Sequence, residues 1–98
     1  MTTTKIDIHE VRYSSNAFAP EMWLKAGSNY VAQLTFMPNG STLPNDYMAQ
    51  NLVYLYHHLD DFQNVIDLLR NDAPLYLLYS GSGGGFQNGI QTTDETVG

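Results

Sequence analysis

The densest group of side chains able to do chemistry in this 98-residue chain is His57-His58-Leu59-Asp60-Asp61, two imidazoles and two carboxylates within five residues. On a continuous helix His57 and Asp61 stand four apart on one face and could share a divalent ion. A metal site needs three or four such ligands, and His9-Glu10 supplies the only other His/Glu pairing. A plainer role fits the same residues: histidines in the last turn of one helix complement its negative end, and the aspartates cap the next.

A second group is Ser80-Gly81-Ser82-Gly83-Gly84-Gly85. Backbone amides of a glycine-rich turn can hold phosphate, which makes Gly81, Gly83, Gly84 and Gly85 the candidate ligand-binding residues. The dinucleotide pattern breaks at Phe86, which stands where its third glycine belongs, and the Lys-Ser/Thr of a phosphate loop is missing. Ser82 lacks the glycine that a nucleophile elbow requires two residues earlier, because Ser80 stands there. No catalytic residue and no cofactor follows from these motifs, and a loop joining two strands is the reading the glycines favour.

Aromatic residues are the third resource. Seven tyrosines and one tryptophan stand against four basic residues in all. Tyrosine buries area at modest entropy cost and is enriched at protein interfaces. Trp23 and Tyr54 are the candidate interaction residues. Strand alternation turns Trp23 away from its apolar neighbours, and Tyr54 lies off the apolar stripe of the helix expected there.

Charge narrows the partners. Lys5, Arg12, Lys25 and Arg70 face ten carboxylates, a net charge of -6, whereas phosphate backbones and anionic lipid surfaces are held by clusters of Lys and Arg. Nucleic acid and membrane are therefore poor partners. The carboxylates are scattered rather than massed, which speaks against mimicry of nucleic acid. Without cysteine there are no disulfides, thiolate nucleophiles or Cys-based zinc sites. The opening Met1-Thr2-Thr3-Thr4 shows no secretory pattern, and no apolar run approaches the ~20 residues of a membrane helix, so a cytoplasmic location is the simplest expectation.

The elements that must position these groups read as follows. Lys5 to Tyr13 alternates with a one-residue phase change near His9-Glu10, the mark of a β-bulge. Glu21 to Ala26 and Tyr30 to Met37 form a hairpin whose three-residue loop, Gly27-Ser28-Asn29, opposes Ala26 to Tyr30, Leu24 to Ala32 and Met22 to Leu34, with Asn29 left-handed. Met48, Leu52, Leu55, Leu59, Phe62, Ile66 and Leu69 repeat at spacings 4-3-4-3-4-3, a helical stripe. One helix of about 25 residues would be ~37 Å long and overhang its sheet. Two helices are expected instead, about Asp46 to Leu59 and Asp61 to Arg70, one long kinked helix being the rival. Leu75 to Tyr79 is a continuous apolar run and hence a central strand, followed by an Asn88-Gly89 turn signal and a short strand near Ile90 to Thr93.

The expectation is one α+β domain over residues 1–98, an antiparallel β-meander followed by a helical pair and one or two further strands on the same sheet, in the order β-β-β-α-α-β-(β). The glycine-rich loop occupies 80–85 and a frayed acidic end 94–98. The function expected is a non-enzymatic interaction module that binds a protein partner or itself as a homodimer. The alternative is a small-ligand-binding domain or minor enzyme using the glycine-rich loop and His57/Asp61.

Overall fold

Alternation decides most of this molecule. In Met22-Trp23-Leu24 and Ala32-Gln33-Leu34-Thr35-Phe36 every second residue is apolar, the pattern of strands with one buried face. A computed structural model describes residues 2–15, 18–72, 74–82 and 86–93. Its strands are β1 (Thr2–Ile6), β2 (Ile8–Arg12), β3 (Glu21–Ala26), β4 (Asn29–Met37), β5 (Tyr47–Ala49), β6 (Leu52–His58), β7 (Leu75–Tyr79) and β8 (Gly89–Gln91). Between β6 and β7 lie a 3-10 turn (Leu59–Asp61) and a single helix, α1 (Phe62–Asn71).

Five strands form one sheet in the order β2-β3-β4-β6-β5, and three form a second in the order β1-β7-β8. The meander β2-β3-β4 is antiparallel, β4 and β6 run parallel, and β5 and β6 form an antiparallel hairpin. Met22, Leu24, Ala32, Leu34, Phe36, Val53 and Leu55 bury the inner face of the larger sheet. Val65 of α1 and Leu77 of β7 complete that core, with Ile6, Leu59, Phe62, Ile66, Leu69, Tyr79 and Ile90 packed against it. The helix and the smaller sheet therefore share one side of the larger sheet.

The expected helical pair is corrected to one helix. The second, Asp61 to Arg70, forms as α1, whose Phe62, Val65, Ile66 and Leu69 face the core at helical spacing. The first, Asp46 to Leu59, is instead the β5–β6 hairpin. Val53 and Leu55 point inward while Tyr54 and Tyr56 point outward, so a period of two overrides the 4-3-4 spacing of Met48, Leu52, Leu55 and Leu59. Gln50 and Asn51 make the tight turn, both left-handed at φ 53° and 66°. Asp46 caps no helix; its carboxylate accepts from the Tyr56 backbone N–H at 3.0 Å.

Two further corrections concern the strands. The final strands do not join the larger sheet: β7 is central, as expected, but in a separate sheet between β1 and β8. Nor does Lys5 to Tyr13 carry its irregularity at His9-Glu10. The break is at Asp7, where the chain passes from one sheet to the other; its N–H donates to Lys25 O at 2.8 Å and its Oδ2 accepts from Gly27 N at 2.6 Å. In the β3–β4 hairpin Met22 opposes Leu34 and Leu24 opposes Ala32 as read from the sequence. A register shift after Leu24 then pairs Lys25 with Tyr30 and Ala26 with Asn29, so the turn is Gly27-Ser28 and the left-handed residue is Gly27 at φ 63°.

Candidate functional site

Because successive side chains of a strand alternate, the register that buries Met22, Leu34 and Leu55 fixes what faces out on the opposite side of the larger sheet. One row crosses all five strands: Glu10 opposes Trp23, Trp23 opposes Gln33, Gln33 opposes Tyr54 and Tyr54 opposes Tyr47. The neighbouring row is Arg12, Glu21, Thr35 and Tyr56. The helix and the smaller sheet both lie on the inner side, so neither covers these rows. Both candidate interaction residues, Trp23 and Tyr54, sit in the first row.

These side chains hold one another in place. The Arg12 guanidinium carbon lies 4.8 Å from the Trp23 ring centroid and the Lys25 ammonium 5.0 Å from that of Tyr30. Tyr30 donates its hydroxyl to Glu10 at 2.8 Å, and Gln33 donates Nε2 to Glu21 at 2.7 Å. The bond to Glu10 holds the proton on Tyr30 and raises its pKa above the usual 10.0. Tyr47 and Tyr54 stack at 4.6 Å with their planes 15° apart. The Tyr56 hydroxyl titrates above its usual range through burial first, then a hydrogen bond with Tyr47 and nearby negative charge. Glu10, Arg12, Trp23, Tyr30 and Leu52 surround a cleft of about 430 Å3 on this face. A cleft of about 480 Å3 at the β1–β2 break, beside Lys5, His9, Leu69 and Asp72, has no Trp, Tyr or Phe in its wall. The aromatic face therefore offers the stronger anchors despite its smaller cleft.

The face is asymmetric across β4. On β2 and β3 it carries charge, Glu10, Arg12, Glu21 and Lys25; on β5 and β6 it carries Tyr47, Tyr54 and Tyr56; β4 presents the neutral Gln33 and Thr35 between them. Val11 borders the cleft beside Trp23 although its strand position opposes the buried Met22 of the inner face, and Tyr13 lies on the helix side, its ring meeting Phe62 edge-on at 5.4 Å.

The other candidates separate. His57, next to last in β6, lies on the inner side, stacked on Phe36 at 5.4 Å and 29°. Burial pushes its pKa below 6.5, against the opposing pull of Asp61 and Asp46. The geometry that would have paired His57 with Asp61, four apart on a continuous helix, is absent because the strand ends at His58 and Asp61 is exposed in the 3-10 turn. Among the described residues no three His, Cys, Asp or Glu side chains gather as metal ligands. Gly83, Gly84 and Gly85 lie outside the described residues. Gly81 is described, at φ 155°, and the Phe86 ring packs so closely that a Cβ there would stand 2.9 Å from it.

One polar network escaped sequence reasoning. Asn88 donates from Nδ2 to Asp46 Oδ2 at 3.1 Å and to Gly81 O at 2.9 Å, while its Oδ1 accepts from Ser80 N at 2.7 Å. It thereby ties the loop after β7 to the strand-entry residue that also holds Tyr56 N. In the sequence Asn88 reads only as a turn signal, and nothing in its neighbours reveals a partner 42 residues away. Beside this network, His57 Nδ1 and Ser80 Oγ are buried and find no hydrogen-bond partner among the described residues.

Among the described residues no helix is long and apolar enough to cross a membrane. Comparison of the chain with protein-family models finds no matching family, and comparisons with curated proteins and with solved structures find no match either.

Proposed function

We propose that this protein is a non-enzymatic interaction module that binds a protein surface through the outer face of its five-stranded sheet. The observation that carries the reading is the row of Trp23, Gln33, Tyr54 and Tyr47, with Arg12 beside Trp23, which neither α1 nor the smaller sheet covers. Trp, Tyr and Arg are the residues that most often anchor protein interfaces, because each buries much area while keeping a polar handle. The charges on the face cancel, Glu10 and Glu21 against Arg12 and Lys25, which suits a neutral protein surface better than a phosphate backbone. The absence of cysteine is in keeping with a reducing compartment, and a cytoplasmic location belongs to the same proposal.

The test is photo-crosslinking in cells with benzoylphenylalanine at position 54, compared with position 67 on the exposed side of α1. Crosslinked protein at 54 but not at 67 is the expected result. Equal products at both positions, or none at either, would remove the reading.

A ligand-binding alternative draws on the unpartnered His57 Nδ1 and Ser80 Oγ, two buried polar atoms near the Asn88 network. Titration with zinc or ATP, followed by the His57 ring resonances, separates the two readings. Saturable shifts favour the ligand site, and unchanged spectra leave the sheet face alone.

A further inference from the structure

Resting on the reading of the outer face as a binding surface, we infer that its occupant is a second copy of this chain, packed sheet on sheet about a two-fold axis running along β4. Three observations converge on that occupant. The first is charge. The chain carries -6 in total, from ten acidic and four basic residues. The outer face holds two of each, Glu10 and Glu21 with Arg12 and Lys25, so the remaining eight acidic and two basic residues account for the entire -6. Two copies repel through most of their surfaces, and this face can meet its own duplicate without adding to the repulsion.

The second is the division of the face by β4. A two-fold axis in the interface, parallel to β4, places the β2–β3 half of each copy over the β6–β5 half of the other. The carboxylates Glu10 and Glu21 then meet the partner's Tyr47 and Tyr56 rather than another carboxylate. Because Trp23, Gln33 and Tyr54 share one row with Gln33 at its middle, Trp23 of each copy lands on the partner's Tyr54, an aromatic pair formed twice. Glu21 in the next row lands on the partner's Tyr56, whose hydroxyl can donate to it. A face that carried its charges on both halves would oppose carboxylate to carboxylate instead.

The third is size. Five strands at about 4.8 Å spacing, three to nine residues long and averaging about 20 Å, give a face of roughly 500 Å2, so two copies bury about 1,000 Å2 between them. That is the lower end for a specific interface, and it describes a reversible dimer rather than a permanent one.

Sedimentation velocity across a concentration series tests this with the whole chain. Wild type should pass from monomer to dimer on concentration, and Trp23→Arg and Tyr54→Glu should each weaken association at least tenfold. Both positions are on the outer face, and circular dichroism checks that each variant stays folded. Mixing the two variants should restore dimer, because one contact becomes an arginine–glutamate pair between copies and the other keeps its native rings. Within one chain Gln33 separates the two positions, so no intrachain pairing can mimic that recovery. A wild type that stays monomeric at every concentration overturns the inference, as does a dimer indifferent to both substitutions or a mixture that does not recover. Crosslinking at position 54 to a different protein, with a monomeric wild type, would retain the binding face and reject the second copy.

Discussion

The two faces of the five-stranded sheet are made from the same strands, yet they obey different rules. Inward, Met22, Leu24, Ala32, Leu34, Phe36, Val53 and Leu55 are at most 2% exposed, and every one is apolar. Outward, the residues are half-buried or exposed, and several lean on a neighbour: Arg12 on Trp23, Tyr30 on Glu10, Gln33 on Glu21, Tyr47 on Tyr54. The inner face supplies stability through dry packing. The outer face is held in order by weak surface contacts, each worth about 1 kcal/mol or less, which leaves its rings positioned and accessible.

The sharpest break of this comparison is a pair of truncations. Phe36→Ala should cost about 3–5 kcal/mol, since the ring is 1% exposed and packs edge-on against Phe62 at 4.9 Å. Trp23→Ala removes a larger side chain but should cost only about 1–2 kcal/mol, because its surroundings are solvent-exposed and free to readjust. Urea denaturation at low protein concentration measures both. Equal costs would mean that the outer face is as closely covered as the inner one.

Asp46→Ala should come next, at about 1–3 kcal/mol. The substitution leaves the half-buried Tyr56 N–H without its acceptor and frees Asn88 from its link to the larger sheet. Asn88→Ala, measured beside it and in combination, should be strongly non-additive, because both changes break the same network. Simple addition would show that the two hydrogen bonds act separately.

How much of this was legible in the sequence follows from which interactions are local. The β3–β4 register could be read because apolar alternation in two adjacent strands admits one pairing that buries both faces, and Met22, Leu24, Ala32 and Leu34 met it. The outward direction of Trp23 came from the same logic. Residues 46–59 misled because four apolar residues at spacings 4-3-4 match a helix while Val53, Leu55 and His57 alternate as a strand. A short segment can satisfy both periods, and the Gln50-Asn51 turn lacks the glycine that usually announces a hairpin. Helical spacing and strand alternation both turn Tyr54 outward, and β6 is the element that does so. The split at Asp7 and the bond from Asn88 to Asp46 join residues 18 and 42 positions apart, which no local pattern encodes.

The Gln50-Asn51 turn gives a smaller and opposite effect. Gln50 is held at φ 53°, where a Cβ is strained, so Gln50→Gly should stabilise the protein by about 0.5–1 kcal/mol without touching either face. A thermal melt reads the gain directly. Loss of stability would mean that the Gln50 side chain makes contributions that outweigh the relief of its backbone.

At neutral pH the smallest effect belongs to His57, which β6 turns toward the core beside Phe36. Burial holds its pKa below 6.5, so the folded protein keeps the ring neutral where the unfolded chain would protonate it. Unfolded chain therefore binds more protons as the pH falls through about 6.5, and stability is lost from there downward until the folded ring also takes a proton. Above that range His57 contributes nothing to the pH dependence. His57→Phe keeps a ring against Phe36 and removes the titration, and since it also removes the unpartnered Nδ1 it should leave the neutral-pH stability equal or higher. The comparison to make is the slope of unfolding free energy against pH between 7 and 5 in wild type and variant. The carboxylates contribute to both slopes alike, so a flatter variant isolates the imidazole. Parallel slopes would mean that His57 is solvated in the folded protein, and that the dry inner face ends at Leu55.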